Sequence, residues 1–237
     1  MKKRHPVRKF ILTVFALLTC VVLVVGIYFG ARGYKMYQEA MSQTSIEEMV
    51  DTVRGEEHFT RYDDLPEFYI NAVISVEDHR FMEHPGIDPI AICRALWTDL
   101  KSMSFEEGGS TITQQIAKNL FFTQEKLVER KVAEIFVVFA MEHEYSKEEL
   151  FELYVNTAYF GSGYYGIYAA AMGYFDKLPS ELTRYEAAML AGVPNAPSAY
   201  SPDVSEELAE QRTVQVLSSM VRHELITQEE ADGIAGK

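Results

Sequence analysis

From Phe10 to Ala31 the chain reads FILTVFALLTCVVLVVGIYFGA, a run without a single charged side chain. About 20 apolar residues suffice to cross a bilayer as a helix. The run is too long for a buried core helix or for the apolar centre of a signal peptide, and no small-residue cleavage site follows it. It predicts a transmembrane helix. Beyond it the pattern changes: hardly any stretch alternates with period two, and apolar residues recur at helical spacing almost to the end. The outer part is therefore expected to be mainly α.

Local signals divide that part. Met36 to Met49 mixes apolar and acidic residues and reads as one helix. Leu65-Pro66 opens a helix that ends around Glu77, with proline near its first turn. Asp88 and Pro89 read as the N-cap and first position of a helix over Ile90 to Leu100. Lys101 to Glu107 is expected to be irregular, with Met103 and Phe105 free to touch lipid. Thr111 and Gln114 have capping-box spacing ahead of ITQQIAKNLFF. Gln124 to Glu144 predicts a long helix, and Ser146 with Glu149 caps another that runs to about Asn156. YFGSGYYGIYAAAMGYF is a glycine-punctuated turn leading into a small-residue helix. LTRYEAAMLAG is a capped helix stopped by the loop of Pro194, Pro197 and Pro202. Val204 to His223 and Thr227 to Ala235 close the chain. The expected organisation is a basic tail (1–9), the membrane helix (10–31), a juxtamembrane connector (32–64) and a helical domain (65–237).

Charge orients this plan. Lys2, Lys3, Arg4, Arg8 and Lys9 precede the apolar run, and no acid occurs in the first 30 residues, which places the N-terminus in the cytoplasm and the rest outside. Of 22 basic residues these five lie in the tail, leaving 17 against 35 acidic ones. So acidic an exterior argues against nucleic acid as a partner, and any anionic ligand must meet a local basic cluster. The two cysteines, Cys20 in the membrane run and Cys93 outside it, cannot pair, and no CxxC or Cys/His metal spacing is present. His79 and His84 are not at the one-face spacing of HExxH and read as structural.

The candidate chemistry starts at SVEDHRFMEHPGID, residues 75–88. Ile70, Val73 and Ile74 fall on the side of a helix that carries Glu77, with Phe81 one turn on. A carboxylate on an apolar stripe has its pKa pushed upward and can serve as a general base near neutral pH. The same position also suits an acid that ends its helix and points into water beside Asp78. The Gly108-Gly109-Ser110-Thr111 turn offers helix N–H groups that suit a phosphate, although GxxxxGK[ST] is missing. Arg130 and Glu134 lie one turn apart, in isolation an ordinary surface pair worth ~0.2–0.5 kcal/mol. Lys118, Lys126 and Lys131 join Arg130 in a basic cluster that the acidic surroundings make conspicuous.

Taken together, these stretches resemble the peptidoglycan glycosyltransferases of family 51. EDHRFMEHPGID (77–88), GGSTITQQIAKN (108–119), RKVAE (130–134) with Glu142, KEELFELYVNTAYFG (147–161) and LTRYEAAMLAGVPNAPSAYSP (182–202) match its five motifs in order. The resemblance implies a lysozyme-like helical fold with its cleft against the membrane. It also implies inverting transfer that forms β-1,4 bonds from lipid II with release of undecaprenyl diphosphate. Glu77 would be the base and Glu134 the second acid, beside the donor diphosphate. Arg94, Lys118, Arg130 and Lys131 fall at positions used around phosphates and sugars. Ser110, Thr111, Gln114, Gln115 and Asn119 would supply hydrogen bonds, and Tyr159 a stacking or polar contact. Asp78 would hold the turn. A carboxylate beside a diphosphate needs an intervening cation, so Arg130, Lys131 or a divalent metal such as Mg²⁺ should lie between them. Met82 and Val138 depart from the pattern only at packing positions.

The implied partners are lipid II, the growing glycan, the bacterial cytoplasmic membrane, and transpeptidases and other cell-wall enzymes. No SxxK or KTG follows, so a monofunctional enzyme is expected. Two rivals stand beside this reading: a lysozyme-like lytic enzyme, against which the basic cluster argues, and a non-catalytic cell-wall scaffold.

Overall fold

The computed structural model describes residues 6–102, 109–122 and 127–236, and every regular element among them is helical. Their one β contact is an isolated bridge between Tyr159 and Tyr165. Helix α1 (Pro6–Gln43) carries the apolar run and continues beyond it. Its last part stays helical because it docks on α6 (Val128–Glu144). Gly33 permits the approach, since a Cβ there would lie 2.5 Å from Val132 Cβ. Tyr34 and Tyr37 meet the Phe136 ring at 5.2 and 5.6 Å, and Arg32 Nε lies 3.1 Å from a Glu129 carboxylate oxygen.

The helix expected across Met36–Met49 is instead two. Ser45 breaks it by accepting the Glu48 N–H at 3.1 Å, which starts α2 (Ile46–Arg54) in a new direction. Ile46, Val50 and Val53 of α2, with Leu65, enter the same core as the later helices.

The remaining helices are α3 (Glu67–Glu77), α4 (Pro89–Ser102), α5 (Ile112–Phe121), α7 (Lys147–Thr157), α8 (Ile167–Phe175), α9 (Arg184–Gly192), α10 (Pro197–Tyr200), α11 (Glu206–Arg222) and α12 (Gln228–Ile234). Capping boxes start four of them: Thr111 with Gln114, Ser146 with Glu149, Thr183 with Glu186, and Thr227 with Glu230. Helix α4 runs on to Ser102, into the stretch expected to be irregular, and Met103 and Phe105 lie outside the described residues. Helix α6 begins at Val128, after an extended Leu127; Gln124 and Lys126 of the expected helix lie outside the described residues.

Helix α3 is central. It packs on α9 and α11, while α5 packs on α6 and α7. Tyr69, Phe81, Ile112, Ile116, Phe151, Tyr154 and Leu190 are fully buried where these helices meet. A fully buried side chain of the Leu, Ile or Phe type contributes about 1.5–3 kcal/mol. The C-terminus of α3, with Glu77, and the N-terminal half of α5, with Gln115, stand side by side, and α6 brings Arg130, Lys131 and Glu134.

Candidate active site

Asp78 ends α3 and ties its end to α5. Its carboxylate accepts the Ile112 N–H at 3.1 Å, and both its oxygens lie 2.9 Å from His84 Nε2. His84 Nδ1 accepts the Gly86 N–H at 3.1 Å, so the hydrogen-bond network assigns the proton to Nε2, which donates to Asp78. Thr111 Oγ1 donates to the Gly86 carbonyl at 2.6 Å. Gly86 itself has φ +89°, and a side chain there would run into Val138 and Glu142.

The start of α5, which the sequence marks as ready for a phosphate, thus already holds an anion, the carboxylate of Asp78. A negative charge at a helix N-terminus is favourable. Thr111 and Gln114, two of the predicted substrate-binding residues, are buried and hydrogen-bonded to each other's backbone in the capping box. Their polar groups build the frame. Glu142 joins it, accepting from Thr113 Oγ1 at 2.5 Å and pairing with Lys147 at 2.7 Å.

The Glu77 side chain is 8% exposed. Gln115, one turn into α5, donates from Nε2 to Glu77 Oε2 at 2.7 Å. Oε1 has no hydrogen-bond partner among the described residues; Arg212 Nη2 of α11 stands 4.0 Å from it. Burial pushes the Glu77 carboxyl above its ordinary range, and the Gln115 hydrogen bond and the charges of Arg212 and Lys118 only partly oppose this. The apolar stripe predicted for this acid is present, with Ile70, Val73 and Phe81 buried along it.

Glu134 is completely buried, so the pair that its spacing alone would place on a surface is internal. Arg130 pairs with Oε1, and Lys131 Nζ lies 2.9 Å from Oε2. Lys131 also donates to Ser110 Oγ at 3.1 Å, linking α6 to the turn before α5. Lys118 stands between the two acids electrostatically, feeling the charges of Glu134, Arg130, Lys131 and Glu77. Burial lowers its pKa, with Arg130 and Lys131 adding to the shift and the two carboxylates opposing it.

The other predicted residues are less closely drawn in. Asn119 lies one turn beyond Gln115 on α5. Arg94 is exposed on α4, its Nη1 3.5 Å from His79 Nε2. Tyr159 follows α7, where its hydroxyl accepts the Gly163 N–H at 3.3 Å and its ring meets Tyr165 at 4.7 Å. Sequence reasoning missed Arg212, which lies beyond the five matching stretches in an ordinary surface-helix pattern and carries no motif signal.

The arrangement can do two things at once. Glu77, its carboxyl raised by burial, has the character of a proton acceptor, and the cations around Glu134 have that of an anion-binding group. Among the described residues no three His, Cys, Asp or Glu gather where they could hold a metal ion. The carboxylate expected beside a metal, Glu134, is already paired with two cations, Arg130 and Lys131.

Residues 42–221 match the sequence model of the family described as Transglycosylase. The chain is 44% identical over 179 residues to penicillin-binding protein 1A of Aquifex aeolicus, covering 76% of this chain and 25% of that protein. It is 42% identical over 200 residues to penicillin-binding protein 1A of Neisseria lactamica, covering 83% and 25%. Against the Vibrio cholerae protein of the same name it is 46% identical over 172 residues, covering 73% and 21%. The chain thus spans about a quarter of the length of these curated relatives. A crystal structure of penicillin-binding protein 1A from Haemophilus influenzae covers 75% of this chain and 17% of its own, at 25% identity and a TM-score of 0.45.

Proposed function

The chain belongs to the transglycosylase family, and from that premise we propose that it polymerises peptidoglycan glycan strands from lipid II at the outer face of the bacterial cytoplasmic membrane. The single observation that supports this best is a buried Glu77, its carboxyl raised by burial, whose charge reaches Lys118 together with that of the Glu134, Arg130 and Lys131 cluster.

In this reading the 4-hydroxyl of lipid II attacks the anomeric carbon of the growing chain from the face opposite its diphosphate. Glu77 takes the hydroxyl proton as the new C–O bond forms. The old C–O bond breaks with inversion, leaving a β-1,4 link and undecaprenyl diphosphate. Lys118, Arg130 and Lys131 face the charge that develops on the leaving diphosphate. Glu134, tied to Arg130 and Lys131, fixes where those cations point, and Ser110 steadies Lys131 from the other side. Arg94, Asn119 and Tyr159 are assigned to outer contacts with sugar or phosphate.

Helix α1 supplies an apolar segment long enough to cross a membrane. With the basic residues ahead of it in the cytoplasm, the domain faces the compartment in which a lipid-linked sugar is polymerised. The test is to incubate the full chain with labelled lipid II. Ladders of glycan from the wild type, reduced ~10²-fold or more in Glu77→Gln, are expected. Fragments released from preformed sacculi, without ladders, would support a lytic enzyme instead, and ladders undiminished in Glu77→Gln would remove Glu77 from the chemistry.

A further inference from the structure

Beneath Glu77 lies a polar cluster that none of the five motif roles uses. The Tyr69 hydroxyl of α3 and the Tyr154 hydroxyl of α7 are buried, and, like Glu77 Oε1, neither has a hydrogen-bond partner among the described residues. Both phenols are pushed upward by burial and then by the charge of Glu77, which places them beside that carboxylate. Arg212 approaches the same carboxylate from α11. Its Nε donates to the Gly192 carbonyl at 3.3 Å, its Nη1 donates to Gln215 Oε1 at 3.0 Å, and its guanidinium lies 5.6 Å from the centre of the Tyr200 ring. Nη2 is left pointing at Glu77. Gly192 makes room for the arrangement, since a Cβ there would stand 2.7 Å from Arg212 Cγ.

We infer that Arg212 is a positioning residue for Glu77, presenting Nη2 to the unpartnered Oε1 from a guanidinium whose other donors are fixed by Gly192 and Gln215. At 4.0 Å the contact is too long for a hydrogen bond and short enough for charge. It favours the ionised carboxylate from the buried side, where Oε1 has no access to solvent. Complete removal of the cation would leave a buried carboxylate reluctant to ionise. The charged and titratable groups facing Glu77 are Lys118 from α5, Arg212 from α11, Tyr154 from α7, Tyr69 on its own helix and Asp78 next in the chain. Of the two cations, Lys118 is assigned to the diphosphate, which leaves Arg212 to the base. The inference rests on the reading of Glu77 as general base.

The test is the pH profile of kcat/KM for lipid II polymerisation by the full chain. Arg212→Gln is expected to move the acidic limb up by about one pH unit or more, giving a roughly tenfold loss on the limb that recovers as pH rises. Arg212→Lys keeps the charge and should hold the limb near its wild-type position. Gly192→Ala displaces the arginine without removing it and should also move the limb up, so it decides the question if Arg212→Gln does not fold. A limb left in place in Arg212→Gln and in Gly192→Ala, with the rate lower by the same factor at every pH or not lower at all, would overturn the inference. Activity retained by Glu77→Gln would overturn the base assignment itself, a separate outcome from either Arg212 result.

Discussion

Glu77 and Glu134 are two carboxylates hidden to nearly the same degree, 8% and 0% exposed on their side chains, and their surroundings have little else in common. Glu134 is held between charges: each oxygen faces a cation on its own helix, one of which is tied on to Ser110, although Oε2, like Glu77 Oε1, accepts no hydrogen bond among the described residues. Glu77 is bound to no cation at hydrogen-bond distance: one oxygen accepts a hydrogen bond from the neutral Gln115 amide, and the other, buried, has an arginine at 4.0 Å. Burial alone therefore does not assign a role to an acid. The company it keeps separates the two: Glu134 is in contact with two cations, whereas Glu77 has its nearest cation at 4.0 Å and a carboxyl that burial raises.

The sharpest way to break this contrast is through stability. Glu134→Gln leaves Arg130 and Lys131 without their counter-charge inside the protein, which should cost on the order of 3 kcal/mol, the lower end for a broken buried pair because Lys131 reaches solvent. Thermal unfolding measures it, and an unchanged Tm would show that the pairing carries no weight. Next, Lys118→Ala and Arg130→Ala should each lower kcat/KM for the donor by about 10²-fold, as expected for lost preorganised charge at a leaving group. Single-substrate kinetics within a few-fold of wild type for both would detach the cations from the diphosphate.

A smaller effect follows from pH. Burial raises the Glu77 carboxyl from its ordinary 4.5, and a base works deprotonated, so activity should rise with pH along a limb centred above 4.5. A limb centred at or below that value would contradict the environment described for Glu77. Smallest is a frame prediction at Asp88. Burial pushes its carboxyl up, yet the Arg80 pair and the Ile90 and Ala91 N–H groups outweigh this and hold it at about 2 against an ordinary 3.8. A depressed carboxyl stabilises the fold above its unfolded value, so about 2 kcal/mol should be present above pH ~4 and fade as pH falls toward 2. Arg80→Ala should forfeit much of it at neutral pH, and unfolding curves with the same acid dependence in both proteins would argue otherwise.

What could be read from the sequence was local. The capping boxes at Thr111 and Ser146 each need only four consecutive residues, and both are present. The apolar stripe under Glu77 was visible for the same reason. What escaped depends on packing between distant segments. Residues 32–43 have no local reason to continue the apolar helix; they do so because Gly33, Tyr34 and Tyr37 find α6. The Arg130–Glu134 spacing reads as a surface pair, and only the surrounding helices make it internal. The start of α5 looks like a vacant anion site, since nothing in its own sequence reveals that Asp78 arrives from another motif to fill it. Arg212 was illegible for the same reason.

The central claim is that Glu77 is kept in a costly environment for the sake of proton transfer, and one paired measurement on Glu77→Gln addresses it directly. Lipid II polymerisation and thermal unfolding are followed on the same preparation at pH 7.5 and again below pH 4.5. A buried carboxyl with a raised folded pKa has its stability cost fully present above that raised value, and loses the cost as pH falls through it toward the unfolded value. The account predicts polymerisation reduced ~10²-fold or more in a protein whose Tm at pH 7.5 exceeds that of the wild type, with the two Tm values converging at acid pH. Polymerisation preserved in Glu77→Gln, or lost together with a lower Tm at pH 7.5, would contradict it.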